Sequence, residues 1–314
     1  MVSKEFWNNR KVLVTGHTGF KGSWLMEILL YLGAKPFGIA LNPLVNPALF
    51  DDLRIKERVS HYYGDIRNIE SLKKIIEEIN PEILIHMAAQ PLVIESYKNP
   101  IDTFSTNIVG TANVLEACRK ANNLKAIVSV TTDKVYANTE NKDSFTENDK
   151  LGGNDPYSCS KACAELVTQS YFKSFFKGKL NVATARSGNV IGGGDRAEYR
   201  LIKEVIDSIN LGKTFELRKP NSIRPWQFIL DSLWGYLMAA QDNFTNKTNE
   251  VFNLNSELNN EFTAEKIVKI FFDNWEGKVP EIIITKEEFE EVDILKINST
   301  KARDILNWTP IYDV

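Results

Sequence analysis

The stretch KVLVTGHTGFKGSW, Lys11 to Trp24, decides the fold. Val12, Leu13 and Val14 make the short apolar run of a buried strand. Gly16, Gly19 and Gly22 follow three apart, where a strand turns tightly into a helix. Such a turn can bring backbone N–H groups against a pyrophosphate at the helix N-terminus. On its own GxxGxxG is also the pattern of glycine turns that bind nothing. A second motif narrows the choice: Tyr157 and Lys161 stand four apart on one helix face. There the ammonium can lower the phenol's pKa and make it a usable base. A dinucleotide cradle with an activated phenol predicts hydride chemistry on a carbinol.

Working outward, apolar runs alternate with amphipathic stretches over the first 190 residues. Strands are predicted at Lys11–Gly16, Pro36–Leu41, His61–Asp65, Ile83–Ala89, Ala126–Thr132 and Asn181–Ser187. Helices are predicted at Ser23–Leu32, Ile69–Ile79, Ile101–Ala121 and Tyr157–Phe176. This rhythm is that of an α/β fold, a Rossmann-type doubly wound parallel sheet. After Gly192 it changes: a GGGD turn, a basic helix candidate, a lone strand near Phe215–Arg218, then Arg224-Pro225-Trp226. A helix at Asp231–Asp242 and a strand at Val251–Asn255 look like a return to the sheet, with Thr263–Trp275 and Thr300–Asn307 helical around a strand at Ile282–Thr285. The expected division is residues 1–187 plus about 226–256 for the sheet, and 188–225 plus 257–314 for a smaller, discontinuous C-terminal lobe over the strands' carboxyl ends.

Composition bounds the function. A formal charge of −3 argues against nucleic-acid binding, which calls for a basic surplus. No run approaches membrane-spanning length and the N-terminus lacks an apolar leader, so a cytoplasmic protein is expected. Three cysteines suit a reducing compartment. Cys159 and Cys163 share a helix face, but without a nearby partner they read as small packed thiols rather than a metal site.

The segments GHTGFKGSWL (Gly16–Leu25), HMAAQPLV (His86–Val93), YSCSKACAELV (Tyr157–Val167), ARSGNVIGGGD (Ala185–Asp195) and IRPWQ (Ile223–Gln227) carry a resemblance over nearly the whole chain. It is to the extended short-chain dehydrogenase/reductase family of nucleotide-sugar enzymes, and within it to CDP-glucose 4,6-dehydratases. The resemblance implies NAD as cofactor, CDP-glucose as substrate and a homodimer. It implies a cofactor site from Gly16, His17, Thr18, Gly19, Phe20, Lys21 and Gly22, from the adenine-holding pair Asp65 and Ile66, and from Ala88, Ala89, Gln90 and Asn107. The alternative reading of Asp65 is a strand-end cap, and that of Asn107 a plain surface residue. The acid expected some twenty residues beyond the glycines, for the ribose hydroxyls, is missing; Asn42 stands near its place.

By the same resemblance Thr132, Tyr157 and Lys161 form the catalytic triad. Tyr157 takes the proton from the sugar O4, Lys161 holds the ribose and the phenolate, and Thr132 bonds O4. Asp133 is placed to be the acid that expels the C6 hydroxyl, provided its pKa is raised. Lys134 stands where dTDP-glucose dehydratases carry a glutamate, so it is either a neutral base for the C5 proton or a cation that steadies the enolate. An epimerase does not need this pair. Asn189 and Arg224 are the expected diphosphate contacts, Arg224 through a guanidinium fork suited to it; Trp226 or Arg218 is the expected nucleotide contact, with core the alternative for Trp226. No metal is expected. Three departures from the pattern stand out: Ile94 in place of an arginine, the stretch 137–146 without its usual tryptophan, and a chain that stops at Val314, where another helix is the norm.

Overall fold

The computed structural model describes residues 2–137, 143–256, 261–286 and 292–312. Its strands, in chain order, are β1 (Lys11–Thr15), β2 (Lys35–Ala40), β3 (Ser60–Tyr63), β4 (Ile83–His86), β5 (Ala126–Thr132), β6 (Asn181–Ser187), β7 (Asn189–Ile191), β8 (Phe215–Leu217), β9 (Trp226–Phe228), β10 (Val251–Leu254) and β11 (Ile282–Ile284). Seven of them form one sheet in the order β10-β6-β5-β4-β1-β2-β3. Every pairing in it is parallel. The order reverses between β1 and β4, and in such sheets ligands bind beyond the carboxyl ends of the strands at that point. β5 is buried along its whole length, as expected of a central strand covered on both faces.

Helices cover both faces. The helix Ile69–Ile79 shows why: Leu72, Ile75, Ile76 and Ile79 recur at three- and four-residue spacing and all are buried. Asn68 caps its start by accepting from the Ser71 N–H, and Asn80 ends it in the left-handed region. On the other face the helices Phe20–Tyr31 and Ile229–Thr245 pack Leu25, Met26, Leu29, Leu233, Tyr236 and Leu237 against Val12, Val14, Ile85 and Val128.

Three expectations change. The segment predicted as one helix over Ile101–Ala121 is a helix Pro100–Phe104, a π-turn Ser105–Val109 and a helix Gly110–Cys118. The extra residue in the π-turn rotates Asn107 into the interior, a geometry that such turns commonly serve. The strand near Phe215 is not alone: β8 pairs in parallel with β11, and β7 pairs with β9. Strands 3 and 4 also end sooner than predicted, so Asp65, Ala88 and Ala89 lie in the turns beyond them. Of the stretch 137–146, residues 138–142 lie outside the described residues.

Candidate active site

The glycine turn leaves β1 at Gly16, whose φ is +80°. A Cβ there would stand 2.8 Å from the Ala88 nitrogen, and one at Gly22 would stand 2.2 Å from the Gly16 carbonyl oxygen. The turn therefore closes on backbone alone, and its N–H groups stand at the start of the helix Phe20–Tyr31. That is a cradle into which a pyrophosphate fits. Beside it, a hydrogen-bond chain fixes the end of β4. Thr111 Oγ1 donates to the Asn107 carbonyl at 2.6 Å and so accepts from His86 Nε2 at 3.0 Å. His86 Nδ1 then accepts from the Thr15 hydroxyl at 2.7 Å, and the Met87 and Ala88 N–H groups donate to that hydroxyl, each at 3.1 Å. Burial and the nearby Lys161 push the His86 imidazole down to about 3, which keeps it neutral.

The π-turn makes Asn107 a brace for the site. Its side chain accepts from the Gln90 N–H at 2.8 Å and donates to the Gln90 carbonyl at 3.1 Å. It also donates to Ser160 Oγ at 2.8 Å, and Ser160 in turn donates to the Tyr157 carbonyl at 2.7 Å. Asp155 caps the helix Pro156–Tyr171 by accepting from Ser158 N at 2.9 Å, with Pro156 in the first turn. That helix presents Tyr157 and Lys161, both buried, to the end of β5.

Thr132 closes β5, and Asp133 and Lys134 follow in a single 3₁₀ turn. The Thr132 hydroxyl donates to Asp133 Oδ1 at 2.8 Å, and the Lys134 N–H donates to the same hydroxyl at 3.4 Å. Asp133 is 1% exposed, and its Oδ2 has no hydrogen-bond partner among the described residues. Burial holds its carboxyl above the usual range, against the pull of Lys134, of the Thr132 hydroxyl, of Arg224 and of Lys21. Burial likewise pushes the Tyr157 phenol up to about 12, with Thr132 and then Arg200 drawing it down. Thr132 and Arg200, rather than the expected Lys161, lower that phenol, and the Lys161 ammonium donates to the Val130 carbonyl at 2.9 Å. Lys161 is itself pushed down to about 8 by burial, with Glu165 opposing.

Other assigned residues divide. Lys21 does not point along the turn; its ammonium donates to Tyr236 Oη at 3.4 Å, and Tyr236 Oη lies 2.6 Å from Ser187 Oγ. Burial brings Lys21 down to about 8, with Arg200 acting the same way and Asp133 and Asp195 opposing. His17 is fully buried against Phe50 and His61. Thr18 donates to the Leu41 carbonyl at 3.0 Å. Asp65 is held by Arg67, whose Nη2 reaches it at 2.6 Å, and Ile66 packs beneath Gly110. Asn189 sits on β7 opposite Trp226. Arg224 is buried and donates to the Ile223 and Asp293 carbonyls, each at 3.0 Å. Arg218 Nη2 donates to both Glu204 carboxylate oxygens, at 2.8 and 2.7 Å. Trp226 is core, its indole donating to the Phe262 carbonyl at 3.1 Å.

The sequence reading passed over Arg200 and Tyr236. Arg200 precedes the helix Leu201–Leu211 and faces both Tyr157 and Lys21 while paired with Asp195 at 3.4 Å. Among the described residues no group of three or more metal-ligating side chains is gathered. No helix of the described residues is long and apolar enough to cross a membrane.

A curated CDP-glucose 4,6-dehydratase of Salmonella typhimurium is 42% identical over 318 residues, covering 99% of this chain and 89% of that protein. Among solved structures, a dTDP-glucose 4,6-dehydratase from Bacillus anthracis in complex with NAD superposes with a TM-score of 0.78 at 26% identity, covering 96% of this chain and 92% of that one. A dTDP-glucose 4,6-dehydratase from Streptomyces venezuelae superposes at 0.84 and 23% identity over 96% of this chain and 92% of that one, which shows the shared fold. The family model described as GDP-mannose 4,6 dehydratase matches residues 13–314. With a Rossmann-type sheet, a glycine cradle and a Thr-Asp-Lys turn facing a Tyr-Lys helix, the chain belongs to the GDP-mannose 4,6 dehydratase family, within the extended short-chain dehydrogenase/reductases.

Proposed function

We propose that this protein is an NAD-dependent nucleotide-sugar 4,6-dehydratase that converts CDP-glucose to CDP-4-keto-6-deoxyglucose. The observation that carries the reading is Asp133, a carboxyl 1% exposed one residue beyond Thr132 and beside Tyr157, with Oδ1 on the Thr132 hydroxyl and Oδ2 without a partner among the described residues; burial raises its pKa. A carboxylic acid kept protonated in a dry site can donate to a leaving hydroxyl. The 42% identity to a CDP-glucose 4,6-dehydratase supports the nucleotide.

NAD would be held by the backbone of the turn formed by Gly16, His17, Thr18, Gly19, Phe20, Lys21 and Gly22, by Asp65 and Ile66, by Ala88, Ala89 and Gln90 braced by Asn107, and by Tyr157 and Lys161; bound there, it would supply an acceptor for the C4 hydride and its return to C6. Tyr157 takes the O4 proton, Thr132 orients the phenol and the sugar oxygen, and Lys161 supplies positive charge below them. The resulting 4-keto group acidifies the C5 proton. Asp133 gives its proton to the C6 hydroxyl, which leaves as water as the C5 proton departs. The neutral Lys134 amine takes that proton and, as an ammonium, then steadies the enolate with its charge; in the alternative role Lys134 only steadies the enolate and water takes the proton. Arg224 and Asn189 hold the diphosphate. Arg218 is committed to Glu204 and supports the lobe from one step further out.

We take residues 1–187 plus about 226–256 as the cofactor-binding part and 188–225 plus 257–314 as the substrate lobe. Exposed Ile101, Val109, Leu166 and Phe175 give the two helical segments Pro100–Cys118 and Pro156–Phe176 an apolar outer face suited to a homodimer. Three free cysteines suit work in the cytoplasm.

The test is incubation with NAD and a panel of nucleotide-hexoses, read by mass spectrometry. Loss of one water from CDP-glucose is the expected result. Loss from another nucleotide-hexose overturns the nucleotide alone, and inversion at C4 without loss of water overturns dehydration.

A further inference from the structure

A threonine hydroxyl has one proton to donate. Thr132 has two takers for it, both buried. In this structure the proton goes to Asp133 Oδ1, at 2.8 Å. The same hydroxyl draws the Tyr157 phenol toward ionisation, the foremost influence opposing its burial. It cannot serve a carboxylate and a phenolate together, so its bond depends on which of the two is charged.

We propose that the Thr132 hydroxyl is a shared donor that serves two anions in turn, the Tyr157 phenolate while C4 is oxidised and the Asp133 carboxylate once that acid has given up its proton. The step rests on the dehydratase reading above and balances simply. Before oxidation, Asp133 carries its proton on Oδ2, which leaves Oδ1 a weak carbonyl acceptor, and the Thr132 hydroxyl donates to the phenolate instead. Tyr157 then takes the O4 proton and, now neutral, no longer needs the donor. As Asp133 passes its proton to the C6 hydroxyl, the Thr132 hydroxyl turns to the new carboxylate, the arrangement seen here. The Lys134 N–H, donating to Thr132 Oγ1 at 3.4 Å, holds the oxygen in place while its hydrogen swings. Asp133 Oδ2, without a partner among the described residues, is the oxygen left to meet the substrate. The order of events follows: the acid must be charged with its proton for the base to be supported, so oxidation does not run ahead of an acid unable to complete the dehydration.

Other charges also face the pair. Asp133 meets Lys134 from its own turn, Arg224 from the lobe and Lys21 from the glycine turn. Tyr157 meets Arg200 from the lobe, and Asp133 and Asp155. An effect of Asp133 on Tyr157 could therefore pass through space, and the test must separate that from passage through the hydroxyl.

The experiment uses NAD-loaded protein labelled with ¹³Cζ-tyrosine, with the Tyr157 resonance assigned by Tyr157→Phe. It needs no sugar, so it decides the coupling even if no nucleotide-hexose is dehydrated. The expected result is an inflection of the Tyr157 resonance as Asp133 ionises, lost in Asp133→Asn, lost in Thr132→Val and restored in Thr132→Ser. An inflection that persists in Thr132→Val shows charge acting through space and overturns the proposal, as does its absence from the unaltered protein. A second readout is single-turnover C4 oxidation of CDP-glucose. It should fall with rising pH through the same inflection, and Asp133→Asn should abolish that limb. A limb unchanged in Asp133→Asn overturns the proposal as well.

Discussion

Glu165 and Arg186 are the place where one substitution should be felt most. Both side chains are at most 1% exposed, one on the helix that carries Tyr157, the other on β6. Arg186 reaches Glu165 through Nε at 2.9 Å and Nη2 at 2.5 Å, and donates to Tyr136 Oη at 2.7 Å. Thr131 donates to Glu165 at 2.5 Å. Glu165→Gln keeps the shape but leaves a guanidinium buried without its counter-charge. Breaking such a pair from one side costs about 3–5 kcal/mol. At roughly 2 °C per kcal/mol for a chain of this size, the thermal midpoint should fall by about 6–10 °C. Circular dichroism melts of the parent, Glu165→Gln, Arg186→Met and the double variant measure it. The double variant should recover most of the loss, because neither charge is then stranded. A loss under about 1 kcal/mol in both single variants refutes the reasoning, since it would mean that water or another group reaches the pair. Glu165 also supports the charge on Lys161, so Glu165→Gln should lose activity at a lower pH than the parent.

Other outcomes follow from the same geometry. Tyr157→Phe should lower C4 oxidation by about 10²–10⁴-fold, the usual contribution of a positioned base, while NAD affinity from isothermal titration stays close to that of the parent. Asp133→Asn should accumulate reduced cofactor on CDP-glucose without loss of water, visible as an absorbance that rises and does not decay. Gly22→Ala should weaken NAD binding more than tenfold, because its Cβ would fall 2.2 Å from the Gly16 carbonyl oxygen and force the cradle open. Stability should decline as pH falls from about 6.5 toward 4. The unfolded chain protonates His17 and His86 near 6.5. In the folded chain burial holds them to about 4 and about 3, so the unfolded state binds more protons across that window. His17→Leu should make the urea midpoint less steep in pH over the same range, and an unchanged slope would count against a buried neutral His17.

The parts of the site carried by linear motifs were legible in the sequence. Gly16, Gly19 and Gly22 forecast the cradle because a backbone this close admits no Cβ, and Tyr157 with Lys161 forecast a shared helix face. The alternation of apolar runs with helical patterns forecast the parallel sheet. What escaped depended on contacts between distant segments. A π-turn at Ser105–Val109 leaves no mark in a helical periodicity, so the inward turn of Asn107 was invisible. Arg218 read as a nucleotide contact because nothing in the sequence shows that Glu204, fourteen residues earlier, folds against it. Arg200 and Tyr236 lie outside any motif, and the electrostatics that join them to Lys21 and Tyr157 exist only once β6, the glycine turn and the lobe are assembled.

The position of β10 has a consequence for how the chain comes off the ribosome. β6 ends at Ser187, and the strand that covers its open edge begins at Val251. All the segments between, with β7, β8 and β9, must be synthesised while that edge of the sheet stands uncovered. Exposed strand edges invite pairing with other chains. The nascent protein is thus most vulnerable to aggregation late in translation, with its cradle and Tyr157 helix already made. Slow codons or chaperone delivery across the segment 188–250 should govern the yield of folded enzyme more than any change in the first half of the chain.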